Sequence, residues 1–540
     1  MSRFGPVVLA AALVGCMSGP EFLEPPAVST NPNPKVPLAA VVTFSTSPPV
    51  HTTIEVSDGS QEWTLEYDET HDYTAGLPVV GMRPDREHKI RVTITGRGLS
   101  TTSELLTFRT PAMPDGIDEA PPIEVRTAAR DRMEDGFTLL SLRREKIGGG
   151  PETLRFNESF GMLIAVDADG APVWYYRSDS RINDFERLRN GNFIFLTADF
   201  RAVEIDLLGN EVAQWYAAKR PQGPAGGAIS VDTETFHHEI DEMPNGNLIV
   251  LGTRTKLVDN YYTSEYDPNA PRKGQKLIGD EIVEFERDTG QVVFKWDSYD
   301  HLDPFRMGYL TLNRFWIRRG FPDSYGWTHG NNILYVAEDD SLLVNLRKQC
   351  AIVKIDHSSG DIKWILGEPT DWGELAAKVL KPEGKLDWFY YQHAPYPTPS
   401  GIVLFDNGIY GARPFGERKR PAEGRTRAVE YAIDEDAMTV RQLWSSEAAE
   451  GENIVSWAMG DVEYLPKTGN ILATYGAMLP PHQLDDLEWD SMFNTRNWTR
   501  VREYTRADPP DLVWEIVLDA PDSSIGWTAF GGERVPNLMP

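Results

Sequence analysis

A repeated pattern of strands and turns occupies the sequence after Phe137. Each copy has a polar turn, an apolar strand, a strand that ends in Asp and a strand that carries Trp. Repeats of this size, each able to form one small antiparallel sheet, are typical of a β-propeller. Five copies are recognisable, at RNGNFIFL, PNGNLIVLG, PSGIVLFDNG, KTGNILATYG and within Trp327–Gly367.

The two ends of the repeated region complete each other. The strands GFTLLSL, GMLIAVD and APVWYY precede the first full copy and lack one partner, which the C-terminal run TAFGGERV can supply. A sheet built from both ends closes the ring and removes its open edges. We therefore expect an all-β fold in which residues 137–540 form a six-bladed β-propeller.

The residues before the repeat have a different pattern. In residues 38–113, short alternating runs such as TIEVSD and HKIRVTITG predict a small β-sandwich of the fibronectin type III kind, with no chemistry of its own. Residues 17–37 are rich in Pro, Ser and Asn, which predicts a flexible tether. The proline-containing stretch 114–136 is predicted to be a linker.

The N-terminal segment resembles a bacterial lipoprotein signal. Arg3 is followed by an apolar stretch too short to span a membrane, and then by Leu13-Val14-Gly15-Cys16. Residues 1–16 are therefore predicted to be a signal peptide, with lipid on Cys16 and the protein anchored in the bacterial cell envelope. The alternative is an ordinary cleaved signal in which Cys16 is accidental. Cys350, the other cysteine, is expected to be a small buried residue.

The formal net charge of −28 excludes an extended nucleic-acid surface and requires a local cationic pocket for any anionic substrate. Two long insertions, Lys256–Gly279 and Tyr299–Gly326, are candidates to shape a binding mouth. Their aromatic residues either bury the loops or form an apolar wall for a flat ligand. These aromatic residues are Tyr261, Tyr262, Phe305, Tyr309, Phe315, Trp316 and Phe321.

Four of the ten histidines occur just before a strand that leads into a repeat turn. His238 and His393 each lie six residues before the proline of that turn. Because the first strand of every blade lines the central channel, equivalent positions in successive blades should converge on the axis. The four are His237, His238, His329 and His393.

Arg347 ends the strand that follows His329, so it is expected at the same mouth. Three imidazoles and one guanidinium suit transfer of a sulfuryl or phosphoryl group. A neutral imidazole attacks, the arginine binds the oxygens and another histidine moves the proton. Zinc or copper held by histidines is the rival chemistry, but the arginine would repel a divalent cation. We therefore expect no metal.

Three phrases that contain these residues, HHEIDEMPNGNLIVLG, HGNNILYVAEDDSLLVNLRKQCAIVKID and QHAPYPTPSGIVLFDNG, resemble the bacterial aryl-sulfate sulfotransferase family. The resemblance extends from about Phe137 to the C-terminus, and the preceding sandwich is similar to that family's N-terminal domain. It implies an enzyme without a cofactor or a nucleotide sulfate donor. Sulfate passes from a phenolic ester to a phenol through a sulfated histidine, in ping-pong order.

By this resemblance, His393 matches the nucleophile, His329 and Asn331 match a supporting histidine and asparagine, and Arg347 matches the sulfate-binding arginine. Asn331 is expected to contact the sulfate of the substrate through its amide. The pair His237-His238 contains the remaining histidine, and the register favours His238, with His237 as a substrate contact. On chemical grounds we expect the departing phenoxide to take its proton from His238 or His329.

Departures from the family pattern leave other functions open. Asn345-Leu346-Arg347-Lys348 replaces a more usual Ser-Ser-Arg-His, Met459 stands where a threonine is usual, and the family's disulfide cannot form. The alternatives are a non-catalytic lipoprotein propeller that binds an anionic aromatic ligand or a protein partner, and a quinone-dependent dehydrogenase, which would need a calcium site. A homodimer is also left open.

Overall fold

The computed structural model describes residues 19–47, 49–148, 150–450 and 453–539. Two compact units make up this part of the chain. The first ends at Pro111, and the second takes Asn33–Val36 and the residues from Ala112 onward. The predicted signal peptide and Cys16 lie outside the described residues.

The first unit is a β-sandwich, as predicted. One sheet has the order β1-β2-β5; in the other, β4-β3-β6-β7, β8 also pairs with β6. Along β6, buried Ile90, Val92 and Ile94 alternate with more exposed residues, which gives the sheet one face toward the core. The strands are β1 (Phe22–Thr30), β2 (Ala40–Thr46), β3 (His51–Ser57), β4 (Glu62–Tyr67), β5 (Leu77–Val79), β6 (Glu87–Gly96), β7 (Leu99–Thr102) and β8 (Leu106–Arg109).

The prediction of a flexible tether over residues 17–37 was wrong for β1. This strand pairs antiparallel with β2, from Thr30 opposite Ala40 to Phe22 opposite Thr46. Pro25 and Pro26 fall where the register shifts, and β1 is an edge strand, so their missing N–H groups interrupt no central ladder. A proline-rich composition therefore did not prevent strand formation here.

The second unit is built almost entirely from short strands. They are β9 (Glu124–Ala128), β10 (Phe137–Lys146), β11 (Gly161–Val166), β12 (Pro172–Ser178), β13 (Ile182–Arg187), β14 (Phe193–Thr197), β15 (Arg201–Ile205), β16 (Glu211–Ala217), β17 (Ile229–Val231), β18 (Ile240–Glu242), β19 (Leu248–Tyr261), β20 (Lys273–Phe285), β21 (Val292–Asp297), β22 (Ser324–Gly326), β23 (Gly330–Val336), β24 (Ser341–Leu346), β25 (Ala351–Asp356), β26 (Ile362–Gly367), β27 (Lys381–Pro382), β28 (His393–Thr398), β29 (Gly401–Asp406), β30 (Arg427–Asp434), β31 (Thr439–Ser445), β32 (Asp461–Tyr464), β33 (Ile471–Met478), β34 (Trp498–Tyr504), β35 (Leu512–Leu518) and β36 (Ile525–Val535).

These strands form six sheets in the described part of the second unit. Their orders are β36-β10-β11-β12, β13 to β17, β18 to β21 with β22 on β20, β23 to β26, β28-β29-β30-β31-β27, and β32-β33-β34-β35-β9. The inner strands β36, β13, β18, β23, β28 and β32 contact one another in that order, and β32 returns to β36. This succession of sheets is the predicted β-propeller. We number the sheets blade 1 to blade 6 in the order given.

Helices are few and short. The α-helices are α1 (Pro151–Glu158), α2 (Ser298–His301) and α3 (Glu447–Glu450), and the 3-10 helices are Ile317–Arg319, Arg347–Gln349, Gly373–Lys378, Pro421–Glu423, Pro481–Gln483 and Trp489–Asn494. Within the described residues, none of these helices has the length and apolar character needed to cross a membrane.

Both ends of the second unit are built into sheets. β36 pairs antiparallel with β10, from Phe137 opposite Val535 to Lys146 opposite Ile525, as predicted for closure of the ring. The predicted linker 114–136 is corrected in part, because β9 within it pairs with β35 as the outer strand of blade 6. The unpaired edge of β35 is the physical reason, since it offers backbone groups to any neighbouring extended segment.

The recurring tryptophan of each repeat joins neighbouring blades. Five buried or nearly buried indoles each donate their N–H to a carbonyl in the turn of the next blade. These bonds run from Trp174 to Leu207 (2.9 Å), Trp215 to Arg287 (2.7 Å), Trp296 to Gly360 (3.1 Å), Trp444 to Ala507 (3.2 Å) and Trp514 to Ala168 (3.1 Å). The equivalent Trp364 indole N–H is buried with no hydrogen-bond partner in the described part of the chain.

Carboxyl side chains gather along the inner strands. A Cβ added to Gly531 of β36 would lie 3.1 Å from carboxylate oxygens of both Asp184 and Asp461, so β13, β32 and β36 bring these acids close together. Burial raises the pKa of Asp184 to about 7 and that of Asp461 to about 6. The pKa of Glu533 is raised to about 7, also by burial. These acids are therefore easier to protonate in the folded protein than in the unfolded chain.

This acidic cluster predicts a pH-dependent stability. Because the folded-state pKa values lie above the unfolded value of about 4, the stabilisation is complete below pH 4 and is lost as the pH rises through 6 to 7. The melting temperature should fall by about 3 °C or more between pH 5 and pH 8 in calorimetric scans. Asp184→Asn, which stays neutral, should reduce this fall. A melting temperature that is constant or rises over the same range would contradict the argument.

Candidate active site

A cavity of about 490 Å³ at one end of the propeller collects residues from all six blades. It brings together His237, His238, His329, Arg347 and His393, which are separated by up to 156 positions in the sequence. The predicted convergence of these side chains is therefore observed, and their individual roles remain predictions. Asn331, in contrast, does not line this cavity.

The backbone aims these side chains through a repeated left-handed residue. His238 has φ of 60° and His329 has φ of 54°, each just before the inner strand of its blade. Ala394 (44°) in blade 5 and Met459 (58°) in blade 6 share this conformation near the same place. Left-handed backbone is unfavourable for residues with a Cβ and occurs preferentially at functional sites. Three of these left-handed residues line the cavity, and in blade 5 Ala394 directly follows the lining residue His393.

Arg347 is a buried cation that forms no ion pair with the described residues. Its side chain is 4% exposed, and no carboxylate lies within 4.0 Å of it among the described residues. One terminal N–H donates to the carbonyl of Trp457 at 3.2 Å, whereas Nε is buried with no partner in this part of the chain. A guanidinium carries five N–H donors and stays charged in proteins. Arg347 therefore has both charge and donors available for an anion.

His393 is held in one tautomer by Asn407. The two amide protons of Asn407 go to the carbonyls of Ser456 (2.8 Å) and Met459 (3.0 Å), so its Oδ1 faces His393 Nδ1 at 2.6 Å. An oxygen can only accept, so His393 Nδ1 carries the proton and Nε2 keeps a lone pair. Burial, together with the charge of Arg347, lowers the pKa of His393 to about 3. The ring is therefore neutral at physiological pH.

A chain of hydrogen bonds fixes His238 in a similar way. His237 Nε2 lies 3.0 Å from the carbonyl of Gly252 and 3.2 Å from a carboxylate oxygen of Asp280. Both neighbours are acceptors, so in the neutral pair His237 Nε2 carries the proton and its Nδ1 accepts. His238 Nδ1, 2.7 Å away, must then be the donor, which leaves the lone pair on His238 Nε2.

Asp280 is itself fixed between two blades. Its second oxygen accepts the N–H of Gly330 at 2.6 Å and the hydroxyl of Thr328, both next to His329. One buried carboxylate on β20 thus orients the histidine pair of blade 3 and the turn that carries the histidine of blade 4. This couples His238 and His329, which both line the cavity.

His329 lies against His238, with 4.8 Å between ring centroids, and is covered by Phe315 at 5.2 Å. Burial lowers the pKa values of His238 and His329 well below the usual range, and the neighbouring histidine lowers each further. The Nδ1 atom of His329 is buried and has no hydrogen-bond partner in the described residues. Protonating either ring therefore costs more than in water.

The expected role of Asn331 as a substrate contact is corrected. Its amide donates to the carbonyl of Gln392 at 3.0 Å, and its oxygen accepts from Asn345. Asn345 also donates to the Gln392 carbonyl at 2.8 Å, and Gln392 donates to Asn345 at 2.6 Å. Because its amide is used in this buried network, Asn331 fixes the backbone that precedes His393 and does not line the cavity.

The aromatic loop residues divide between the two predicted roles. Phe315 and Trp316 line the cavity together with Phe530 from β36, so they form an apolar wall beside the imidazoles. Tyr261, Tyr309 and the remaining aromatic residues of the insertions do not line it and pack into hydrophobic clusters. Most of these residues bury the loops, and only the tip of one insertion shapes the mouth.

Asn407 and Asp280 were not identified from the sequence, although a signal existed for the first. Asn407 directly follows the second strand of blade 5, as Arg347 directly follows the second strand of blade 4. Comparing blade positions would have found Asn407. Asp280 lies within a long strand, β20, where nothing in the local pattern marks it.

The arrangement presents two imidazole lone pairs, on His393 and His238, to a cavity with a free guanidinium and an aromatic wall. This suits attack on an anionic electrophile by one ring and proton removal by the other. Among the described residues, no group of three or more His, Cys, Asp or Glu side chains is arranged to hold a metal ion.

Comparison with known proteins identifies related sequences. Residues 123–498 match a family model described as Arylsulfotransferase (ASST), and residues 27–111 match one described as Arylsulfotransferase Ig-like domain. Arylsulfate sulfotransferase AssT of Escherichia coli O6:H1 is 29% identical over 270 residues, 42% of this chain and 43% of that protein. AssT of Lelliottia amnigena is 31% identical over 244 residues, 37% of this chain and 40% of that protein.

The chain thus spans less than half the length of these two relatives. A solved structure of a protein of unknown function from Bacteroides caccae has a TM-score of 0.37 and 12% identity, over 74% of this chain and 98% of that one. The two family matches confirm the resemblance inferred from the sequence.

The protonation states of the cavity histidines can be measured directly. In long-range nitrogen–proton spectra of protein labelled with 15N-histidine, His238, His329 and His393 should remain neutral from pH 8 down to pH 5, because their pKa values are lowered. His393 should show a protonated Nδ1 and an unprotonated Nε2. Asn407→Leu, which removes the acceptor, should abolish this tautomer preference. A titration midpoint above pH 5 for any of the three would refute the assignment.

Proposed function

Because the chain belongs to the arylsulfotransferase family, we propose that it transfers a sulfuryl group from a phenolic sulfate ester to a phenol. The transfer uses no nucleotide sulfate donor and passes through a sulfohistidine at His393. The observation that carries the proposal is the neutral ring of His393, whose Nε2 lone pair shares a cavity with the unpaired charge of Arg347.

In the first half-reaction the donor binds with its sulfate at Arg347 and its ring against Phe315. His393 Nε2 attacks sulfur, the bond between sulfur and the aryl oxygen breaks, and that electron pair leaves with the phenoxide. The ring becomes cationic, and its Nδ1 proton remains bonded to the Asn407 oxygen, which stabilises the charge. The phenoxide leaves through a cationic cavity and takes its proton from solvent.

In the second half-reaction the acceptor phenol loses its proton to His238 Nε2 as its oxygen attacks sulfur. The bond between sulfur and His393 Nε2 breaks, and its electron pair returns to the imidazole. A phenol has a pKa of about 10, so base assistance is needed near pH 7. This assignment makes His238 a proton acceptor, whereas the sequence analysis expected His238 or His329 to donate a proton to the phenoxide. The tautomer held by His237 and Asp280 supports the change.

The proposal is tested with 4-nitrophenyl sulfate as donor and phenol as acceptor, by following the yellow nitrophenolate. His393→Ala should reduce its release by at least about a thousandfold, since the residual rate lacks the covalent route. His482→Ala, at an exposed histidine, is the matched control and should leave the rate unchanged. A rate that survives His393→Ala would rule out this nucleophile. Ligand binding with no release for any phenol would favour the non-catalytic alternative.

His238 should affect the two half-reactions differently. Without this base, His238→Ala should still give a burst of about one nitrophenolate per protein, followed by turnover lowered about a hundredfold. Stopped-flow absorbance separates the two phases. If the variant shows no burst that precedes a slower steady-state phase, formation of the sulfated enzyme has become rate-limiting. His238 then acts in the first half-reaction, and the proposed base role is wrong.

We also propose that the protein is anchored in the bacterial cell envelope by lipid on Cys16. The phrase Leu13-Val14-Gly15-Cys16 after a short apolar stretch supports this. Cys16→Ser should abolish incorporation of radiolabelled palmitate in cells and release the protein from the membrane fraction. Labelling that persists in this variant would place the lipid elsewhere.

A further inference from the structure

Six arginines line the cavity in addition to Arg347, and three of these, Arg143, Arg181 and Arg319, come from successive blades. Arg143 belongs to β10 in blade 1, Arg181 directly precedes β13 in blade 2, and Arg319 ends the 3-10 helix Ile317–Arg319 in the blade 3 insertion. Among the described residues, none of the three has a carboxylate within 4.0 Å. Within the described part of the chain, these guanidiniums therefore form no ion pair.

Neutral groups hold these arginines in place. Arg143, 6% exposed, donates to the carbonyl of Ile182 at 2.8 Å and to the side chain of Asn183 at 3.1 Å. Arg319 donates to the carbonyl of Phe315 at 3.2 Å, and its guanidinium lies 3.7 Å from the centroid of the Phe315 ring. Such contacts fix a guanidinium without reducing its charge.

Arg181 is the least satisfied of the three. Its Nε is buried with no hydrogen-bond partner in the described part of the chain. Burial lowers the pKa values of Arg143 and Arg319, and the nearby charge of Arg181 lowers both further. Repulsion among three guanidiniums destabilises the folded protein unless an anion binds close to them.

The charge of the whole cavity also indicates that more than one anionic group binds there. Seven arginines and two lysines line it, against the glutamates Glu145 and Glu158, in a chain of net charge −28. A single sulfate group at Arg347 leaves most of this positive charge uncompensated. The cavity is therefore more cationic than one aryl sulfate monoanion requires.

The aromatic wall contacts both the cavity imidazoles and Arg143, through Phe315 and Phe530. Phe315 packs against both His238 and His329, at centroid distances of 6.4 and 5.2 Å. Phe530 lies 5.6 Å from the His238 ring and 5.1 Å from the guanidinium of Arg143. A flat ligand along this wall extends from the imidazoles toward Arg143.

We propose that Arg143, Arg181 and Arg319 form a second anion subsite, and that the phenolic substrate carries a further anionic group such as a carboxylate, sulfonate, sulfate or phosphate. This inference rests on the proposed function, because it assigns Arg347 to the transferred sulfate. The second group meets the three guanidiniums while the reacting oxygen stays at His393 and His238.

Binding tests the subsite independently of catalysis. In calorimetric titrations of the full chain, benzene-1,4-disulfonate should bind about tenfold more tightly than benzenesulfonate, which corresponds to one additional charge-assisted contact. Arg181→Gln and Arg319→Gln should each reduce this ratio toward one. Arg441→Gln, at an exposed residue outside the cavity, removes the same charge and should leave the ratio unchanged. Equal binding of the two ligands by the unaltered protein would overturn the inference, as would a ratio that both cavity variants retain.

Turnover distinguishes this inference from the proposed function. With 4-nitrophenyl sulfate as donor, 3-(4-hydroxyphenyl)propanoate should be an acceptor with about tenfold higher kcat/KM than the corresponding amide, whose phenol is equally acidic. Arg319→Gln should remove that preference, and melting curves show whether the variant folds. Transfer to both acceptors at equal kcat/KM defeats the second subsite alone. If neither acceptor receives the sulfuryl group, the proposed function is wrong. The ratio of the two calorimetric affinities still decides whether the second anion subsite exists.

Discussion

The propeller depends on one repeated hydrogen bond, from the indole of one blade to a turn carbonyl of the next. Five such bonds connect successive blades, and Trp514 of blade 6 returns to Ala168 in blade 1. Each bond contributes about 1 kcal/mol, and each indole also buries a large apolar surface between blades. Only the step from blade 4 to blade 5 lacks the bond, because the Trp364 N–H is unpaired in the described residues. The tryptophan of the repeat is thus a connection between sheets as well as a core residue.

The cavity is a consequence of this closed ring. No blade supplies more than part of it, and the polar groups that orient its histidines cross between elements. Asp280 of blade 3 bonds to the turn of blade 4, and Asn407 of blade 5 bonds to carbonyls of the segment that leads into blade 6. The tautomers of His238 and His393 therefore depend on Asp280 and Asn407, which also bond to groups outside their own blade.

Much of this arrangement could be predicted from the sequence, because a repeat constrains many residues together. The pattern around each turn predicted the order of strands, and the register of His238 and His393 placed them where inner strands begin. The same reasoning failed where the structure of a segment depends on one partner elsewhere in the sequence. β1 forms against β2 despite its prolines, β9 is held by the edge of β35, and Asn331 turns toward the Gln392 backbone. Composition and spacing carry no information about such partners.

Antiparallel pairing of β10 with β36 has a consequence for biogenesis. Arg143 lies on one of these strands and Phe530 on the other, so the seam of the ring passes through the cavity wall. A chain still emerging from the ribosome has neither the seam nor a complete wall until β36 is available. The cavity wall is therefore completed only when β36 pairs with β10.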